Sequence, residues 1–431
     1  MAVLLLILSF IVLLALNMPV AFCMGIATLL ALMVVGDMAV FSVIAHRMAT
    51  GIDSFSLLAI PFFVLSGLLM GKGGIARRLV DFAECLVGRF KGGLALVNIL
   101  TCMLFGAISG SAAAAVSSIG GVMIPLMNKK GYHRDFNASV NITAGTTGLL
   151  IPPSNAMIIY SLATGGGCSI AALFIAGIIP GILVGLGLMA VAGFISIKRN
   201  YGKGERFTLG EGIRRFFGAV PALLLVVIVL GGILGGIFTA TEASAIAVVY
   251  SLVLAVFVYR QVSLKELPEI LLQCSVITAV VMLLVATSAA MSWFLSMQNI
   301  PQQAGAFLLR LSDSKLVILL LVNIVLLFVG TFMDMTPAIL IFTPVFLPVM
   351  NNLGVDTLHF GIIMVMNLCI GLCTPPVGTC LFLGCGIAET TVTKVMRHIL
   401  PFFAAMIAVL LICTYVPWFS LVLPKAFGLV K

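Results

Sequence analysis

The 431-residue chain is far too apolar to form soluble domains. Apolar residues make up 62% of it and charged residues only 9%, whereas soluble domains contain about 45–50% and about 25%. This composition is that of a polytopic membrane protein, and it excludes a disordered or coiled-coil chain. The net charge of +9 does not indicate nucleic-acid binding, because the Lys and Arg residues form short clusters between apolar runs, as loop charges that orient membrane helices do.

The apolar segments predict an all-α chain. With about 20 apolar residues needed for one crossing, spans are predicted near 3–17, 19–36, 52–71, 136–162, 170–197, 218–237, 241–260, 267–296, 359–385 and 397–424. The first basic residue is Arg47, so the apolar start lacks the positive charge of a cleaved signal peptide and is predicted to be a retained span. Amphipathic stretches near 75–90 and 299–311 are predicted to lie at the membrane surface.

Two further apolar stretches, 92–127 and 316–350, are too long for one crossing. Small or polar residues interrupt them at 107–111 and at 330–336. Non-helical backbone at membrane depth must be buried in protein or line a wet cavity. Each stretch is therefore predicted to be a re-entrant helical hairpin with both ends on one side of the membrane.

The basic residues predict opposite orientations for these hairpins. Lys and Arg are present both in 77–91 and in 129–134, so both ends of the first hairpin should be cytoplasmic. The segment 351–356 after the second hairpin contains no Lys or Arg, so that hairpin should open to the outside. Counting spans from these anchors predicts a periplasmic N-terminus.

The hairpins are also related in sequence. Residues Phe105, Pro125, Met127, Asn128, Gly131, Gly148, Pro152 and Pro153 recur 223 positions later as Phe328, Pro348, Met350, Asn351, Gly354, Gly371, Pro375 and Pro376. Upstream, the triplet at 97–99 recurs at 322–324, which implies a two-residue slip. Together with the opposite orientations this predicts an inverted repeat, the arrangement in which secondary transporters bind their cargo near the bilayer midplane.

A proline pair interrupts each of the spans 136–162 and 359–385. Proline lacks an N–H and disfavours helix at the preceding residue, so these breaks should present free carbonyls, which suit Na⁺, and half-helix N-termini, which suit a carboxylate. The predicted sodium ligands are Ser109, Gly110, Gly145, Gly148, Ile151, Gly330, Asp334, Gly371 and Thr374. The predicted substrate contacts are Ser109, Ser111, Ser154, Asn155, Asp334 and Thr336. The alternative is that glycine and proline merely kink packed helices.

Two of the 14 acidic residues, Asp334 and Glu242, lie well inside long apolar stretches, where an ionisable side chain is a functional candidate. Asp334 lies at a hairpin tip, opposite Ser111 across the repeat, and is predicted to bind a cation or a polar substrate. Glu242 follows Thr239 at the spacing of a capping box and is predicted to be structural.

The chain shows no pattern typical of an enzyme. The segment 71–74 lacks the spacing of a P-loop, and the four histidines lack the spacing of metal ligands. The ten cysteines form no C-x-x-C pair and are predicted to pack as small apolar groups. We therefore predict no catalytic residues and no cofactor or metal other than Na⁺ as coupling ion.

Taken together, several motifs resemble the large membrane (M) subunit of the tripartite ATP-independent periplasmic (TRAP) transporters. They stand at 54–63, 109–112, 151–154, 236–243, 333–337 and 374–378, and the resemblance covers essentially the whole chain. The chain departs from the family pattern at Ala240, where proline is usual, and within 112–115, where many members carry an acid.

The resemblance implies Na⁺-driven uptake of an organic acid across the bacterial inner membrane. The substrate would be a C4-dicarboxylate, a sialic acid or another sugar acid. A periplasmic binding protein would deliver it, and a separate small four-helix membrane subunit would assist. The matching positions again include the two hairpin tips and the breaks at 148–154 and 371–374.

The resemblance further implies an elevator motion of a transport domain against a fixed scaffold. The transport domain is predicted to comprise 92–169 and 316–388. The scaffold is predicted to comprise the helices in 1–51, a helix and an amphipathic arm in 52–91, further helices and a second arm in 170–315, and a last helix in 389–431. Two other readings remain: a cation channel, because broken helices and carbonyls also build filters, and a membrane-embedded enzyme, for which no reactive constellation is present.

Overall fold

The computed structural model describes residues 1–16, 18–36, 40–202, 209–312 and 314–430. Within those ranges every regular element is helical. The first half contains α1 (Ala2–Ala15), α2 (Val20–Val35), α3 (Val40–Ile52), α4 (Ala59–Lys72), α5 (Ile75–Val87), α6 (Gly93–Ser109), α7 (Ala112–Lys129), α8 (Arg134–Thr146), α9 (Asn155–Ala163) and α10 (Ile170–Lys198). The second half contains α11 (Leu209–Leu234), α12 (Ala240–Leu252), α13 (Leu267–Met297), α14 (Ile300–Leu311), α15 (Lys315–Phe332), α16 (Met335–Asn352), α17 (Thr357–Gly371), α18 (Thr379–Ile387), α19 (Val392–Tyr415) and α20 (Trp418–Ala426).

Eight of the helices in the described ranges are long and apolar enough to cross a membrane. The predicted all-α polytopic fold is confirmed. The two amphipathic stretches are helices α5 and α14. The predicted capping box also forms, because the Glu242 carboxylate accepts from the Thr239 backbone N–H at 2.8 Å and the Thr239 hydroxyl accepts from the Glu242 N–H at 3.2 Å.

Three element predictions were wrong. Helix α3 was not predicted, because its polar and basic residues dilute the apolar run. Helix α11 begins at Leu209 rather than at 218. The predicted span 397–424 is two helices, since α19 ends at Tyr415 and α20 begins at Trp418, after Pro417. Proline lacks an N–H and has a fixed φ, so it is tolerated best at the start of a helix, and Pro417 stands directly before α20.

Both predicted hairpins and both predicted breaks are present. Helices α6 and α7 pack side by side, whereas α15 and α16 follow one another through a short turn and make few contacts with each other. The first broken helix is α8 and α9, and the second is α17 and α18. The halves interlock: α7 of hairpin 1 packs on α18, and α16 of hairpin 2 packs on α9. All four interruptions consequently meet in one region of the molecule.

Helices α10 and α19 pack mainly against this interlocked core. Within the described ranges α10 contacts α6, α8, α17 and α19, while α19 contacts α8, α17 and α18. Helices α11, α12 and α13 instead pack around α2 to α5. The predicted division, which placed 170–315 and 389–431 with the scaffold, stays a prediction.

Candidate functional site at the two hairpin tips

The tip of hairpin 1 is a two-residue turn between α6 and α7. Gly110 adopts a left-handed conformation (φ +59°) and its N–H donates to the Gly106 carbonyl at 2.8 Å, which ends α6. Ser111 is extended and its hydroxyl accepts from the Ala114 N–H at 3.3 Å, which starts α7. The Ser109 hydroxyl lies 3.4 Å from the Ser111 carbonyl. The tip therefore consists of two serine hydroxyl groups and the backbone of a glycine, which has no side chain.

In the first break, a serine hydroxyl joins the end of one half-helix to the start of the next. After α8 a single 3₁₀ turn spans Thr147–Leu149, and Ser154 then precedes α9. The Ser154 hydroxyl is fully buried and donates to the Leu149 carbonyl at 2.6 Å. This bond satisfies one carbonyl of the interrupted helix and fixes where α9 begins.

Tip 1 and break 1 are in backbone contact. A methyl group on Gly106 would overlap the Cα of Gly148, and one on Gly110 would lie 3.0 Å from the Pro153 carbonyl oxygen. Such close approach requires glycine, which has no Cβ. The Asn155 Oδ1 atom, at the start of α9, is buried and has no hydrogen-bond partner among the described residues. An unsatisfied buried oxygen beside a tip of small residues is suited to a cation or a donor group of a ligand.

The predicted ligands of the first half therefore lie close together, except that Gly145 and the side chain of Ile151 face away from the tip. Gly145 faces α7 rather than the tip, since a methyl group there would lie 3.3 Å from the Ala112 carbonyl oxygen. Ile151 packs toward α10, where a methyl group on Gly181 would lie 2.6 Å from its side chain. At Ile151 only the backbone carbonyl remains available to the site.

Tip 2 is the turn between α15 and α16. It carries the carboxylate of Asp334 where tip 1 carries the hydroxyl of Ser111. Helix α15 ends at Phe332, and Asp334 precedes α16 without forming a side-chain capping bond. Its carboxylate lies near the Met335 N–H and the Thr379 hydroxyl at the start of α18. The Asp334 side chain is exposed. Because capping does not use this carboxylate, it remains available to a ligand.

Tip 2 and break 2 repeat the backbone contact of the first half. A methyl group on Gly371 would lie 2.5 Å from the Cα of Gly330. The Val377 N–H donates to the Thr331 carbonyl at 3.1 Å, which ties the break to the last turn of α15. The Thr374 hydroxyl donates to the Ile370 carbonyl at 2.8 Å. Gly330 therefore positions the hairpin rather than forming its tip, and Thr336, the second residue of α16, is half-buried.

Buried asparagines that the sequence analysis did not assign to the site support the second half. The Asn367 amide donates to the Asn323 Oδ1 at 2.6 Å, and the Asn323 amide donates to the Thr414 hydroxyl at 3.2 Å. These side chains join α17, α15 and α19 deep in the apolar layer. The sequence did contain a signal for this cluster, because Asn323 lies in the repeated triplet and places a polar amide inside an apolar span.

The chain is similar to known proteins over nearly its whole length. The family model "Tripartite ATP-independent periplasmic transporter, DctM component" matches residues 7–419. The uncharacterized protein YgiK of Salmonella typhimurium is 50% identical, over 97% of this chain and 96% of its own length. The C4-dicarboxylate TRAP transporter large permease protein DctM of Pseudomonas aeruginosa is 44% identical over 88% of each chain. The sialic acid TRAP transporter large permease protein SiaM of Vibrio cholerae is 38% identical, over 95% of this chain and 96% of its own.

Among solved structures, the YdaH transporter of Alcanivorax borkumensis superimposes with a TM-score of 0.59 at 16% sequence identity. The alignment covers 90% of this chain and 88% of that one. At this identity the likeness concerns the fold alone.

Proposed function

Because the chain belongs to the DctM family and is a large permease subunit of a tripartite ATP-independent periplasmic transporter for organic acids, we propose that it couples uptake of its substrate to Na⁺ at the two hairpin tips. Members of this family are permeases and not enzymes. The observation that carries the proposal is the matched contact of each tip with its break, Gly106 with Gly148 and Gly330 with Gly371.

The substrate is proposed to be a carboxylate, either a C4-dicarboxylate, a sialic acid or another sugar acid. Two relatives are named for a C4-dicarboxylate and for sialic acid. No Lys or Arg occurs in 92–128, 135–197 or 316–393. A carboxylate in the core would therefore bind to half-helix N-termini, hydroxyl groups and a neighbouring cation. Helices α7, α9, α16 and α18 all begin in this region and supply bare N–H groups.

The first Na⁺ is proposed to lie between tip 1 and break 1. Carbonyl oxygens there come from the ends of α6 and α8, and the unpartnered Asn155 Oδ1 lies beside them. Neutral oxygen ligands of this kind suit Na⁺ at half-helix C-terminal ends.

The second Na⁺ is proposed to lie between tip 2 and break 2. Its ligands would be carbonyls around Gly330 and 371–374 and the Asp334 carboxylate. This site differs from the first by one negative charge, which would bind the cation more tightly when water is excluded.

Transport is proposed to be an elevator motion, in which the interlocked hairpins and broken helices move against a scaffold. On their packing, α10 and α19 would travel with the hairpins. Helices α2 to α4 and α11 to α13 would form the scaffold, and the amphipathic helices α5 and α14 would be the arms that link the two bodies.

The assembly is proposed to include a periplasmic binding protein and a separate small membrane subunit. The family description itself says tripartite. The chain is proposed to reside in the bacterial inner membrane with its N-terminus in the periplasm, as the distribution of basic residues predicts.

The test is uptake by the complete complex reconstituted in vesicles, with radiolabelled sialic acid or succinate loaded on the cognate binding protein. An inward Na⁺ gradient should drive accumulation, and an equal K⁺ gradient should not. Equal accumulation with K⁺ would contradict sodium coupling. Flux that persists without the binding protein and does not saturate would instead support the channel alternative.

A further inference from the structure

A cavity of about 420 Å³ lies away from the hairpin tips, between the arm α5 and the first turns of α11. This volume falls in the range of small-molecule sites, about 300–1,000 Å³. The described residues that line it are Arg78, Asp81, Glu211, Arg214, Arg215 and Gly218. Five of these six carry a charge, in a chain that is only 9% charged.

One of the arginines is already neutralised. Arg215 donates from Nη1 to the Glu84 carboxylate at 2.8 Å and from Nη2 to the Glu211 carboxylate at 3.0 Å. The bond to Glu84 ties α11 to α5, whereas Glu211 lies one turn before Arg215 on α11 itself. Arg215 is therefore structural.

The other charges are not compensated. Arg214 and Asp81 form no ion pair in the described part of the chain, and neither does Arg78. The Arg78 guanidinium lies 3.8 Å from the centroid of the Tyr259 ring, which holds it in place but leaves its charge. The cavity thus presents two free guanidinium groups and one free carboxylate.

The aromatic side chains place this cavity at the membrane surface. Phe216 and Phe217 follow Arg215 within α11, and both are exposed. Phe82 of α5 packs on Phe216, with 5.6 Å between the ring centroids. Phenylalanine side chains beside basic residues are typical of helices that lie at the boundary between lipid headgroups and acyl chains. The positive-inside rule predicts the cytoplasmic leaflet for this end of α11.

We propose that this cavity binds the headgroup of a zwitterionic phospholipid, phosphatidylethanolamine. Its phosphate would accept from Arg78 and Arg214, whose guanidinium forks match phosphate oxygens. Its ammonium group would donate to Asp81. A purely anionic headgroup would leave the Asp81 carboxylate facing negative charge, and a choline headgroup has no N–H to donate.

Such a lipid would bridge the arm to the scaffold. Helix α5 ends at Val87, and hairpin 1 begins at Gly93. A headgroup that contacts Arg78 and Asp81 on α5 together with Arg214 on α11 would hold the arm where it leads into the hairpin. This role is independent of the ion and substrate sites.

The experiment measures lipid binding to the purified full chain by native mass spectrometry. The probes are phosphatidylethanolamine, phosphatidylcholine and phosphatidylglycerol with identical acyl chains, and soluble glycerophosphoethanolamine. Phosphatidylethanolamine should bind at least about tenfold more tightly than the other two lipids, the factor expected for one charge-assisted hydrogen bond. Equal binding of phosphatidylglycerol would overturn the zwitterion assignment.

The variants separate the two halves of the headgroup. Arg214→Ala should weaken all three lipids, and Arg214→Lys should restore part of that loss. Asp81→Asn should abolish only the preference for phosphatidylethanolamine. Arg77→Ala is the control, because Arg77 is exposed on α5 and does not line the cavity. Unchanged binding in Arg214→Ala and Asp81→Asn would overturn the proposal.

The soluble probe tests the source of the phosphate. Glycerophosphoethanolamine should bind far more weakly than the lipid, because the lipid also buries acyl chain against Phe216 and Phe217. If the soluble probe binds as tightly as the lipid, the site is for a free phosphoester and the lipid assignment is wrong.

Discussion

The two hairpin tips arise from one repeated sequence but lie in different surroundings. Tip 1 is enclosed: Ser109 is 2% exposed, and a methyl group on Gly67 of α4 would lie 2.9 Å from its carbonyl oxygen. Its break is enclosed too, with Ser154 fully buried. At tip 2 both Asp334 and Thr379 are exposed.

The two halves share some contacts and differ in others. Within each half the backbone contact between tip and break recurs, Gly106 with Gly148 and Gly330 with Gly371. The contact of a tip with the neighbouring helix α4 occurs in the first half, where the tip residues are small enough for close packing. In an alternating-access cycle the two halves would exchange these surroundings.

Removing the charge at the open tip should have the largest effect. Asp334→Ala is expected to lower Na⁺-driven uptake about 100-fold, because it deletes the charged ligand of one site. Its thermal unfolding should hardly change, since the carboxylate caps no helix. Ser111→Ala, at the matching position of the first half, should lower uptake less but destabilise the protein by about 1 kcal/mol through loss of its cap.

Glu242→Gln is the matched control for Asp334→Ala. Glu242 belongs to a capping box far along the chain from both tips, so uptake per folded protein should stay at the wild-type rate. Normal Na⁺-dependent uptake by Asp334→Ala would contradict the assignment of the second site.

Thiol labelling should report the difference in exposure directly. Nine of the ten cysteines are buried and Cys85 is half-buried, so Cys85→Ser provides a quiet background. There Thr379→Cys should react at least about tenfold faster with a methanethiosulfonate reagent than Ser154→Cys, because thiol reactivity follows access. Na⁺ with loaded binding protein should slow the reaction at Thr379→Cys. Equal rates at the two positions would show that the halves do not differ in solution.

Steric substitutions at the two glycine contacts should have the smallest and most graded effect. Gly106→Ala is expected to cost about 1–3 kcal/mol of unfolding free energy, as overpacking does, because its methyl group would overlap Gly148. Gly330→Ala should cost less, since the nearest atom, the Cα of Gly371, would be 3.1 Å away. Thermal unfolding of the purified protein measures both.

Gly121→Ala is the control for these substitutions. Gly121 lies on the same hairpin as Gly106, and no atom lies within 4 Å of the methyl group that the substitution adds. It should be neutral or slightly stabilising. If Gly330→Ala destabilised the protein more than Gly106→Ala, the tighter contact of the first half would be refuted.

Much of the architecture could be predicted from the sequence because membrane insertion leaves few options. Backbone groups in the apolar layer must be paired within a helix, so apolar length predicted the spans and Gly, Ser, Asp and Pro predicted their interruptions. The approach failed where the signal is weak, as in α3, whose 13 residues include His46 and Arg47. It also failed where an apolar run hides a break, as at Pro417 between α19 and α20.

The candidate site was predictable in part for the same reason. Ser109, Gly110, Gly148, Ser154 and Asp334 could be selected as candidates because they lie at or beside the helix interruptions of the repeat. The buried chain from Asn367 through Asn323 to Thr414 was not found, because its members lie inside regular helices and only their contacts reveal a common role.

By itself the sequence determined the all-helical membrane fold, the inverted repeat and the four interruptions, since these depend on local composition and on charges that orient loops. Which surfaces meet could be seen only from the packing of the helices: Gly106 against Gly148, α7 against α18, α10 and α19 against the hairpins, and a charged cavity between α5 and α11. Those contacts join residues far apart in the chain, and their geometry depends on the packing of whole helices rather than on any local pattern. The same packing encloses one hairpin tip and leaves its duplicate open.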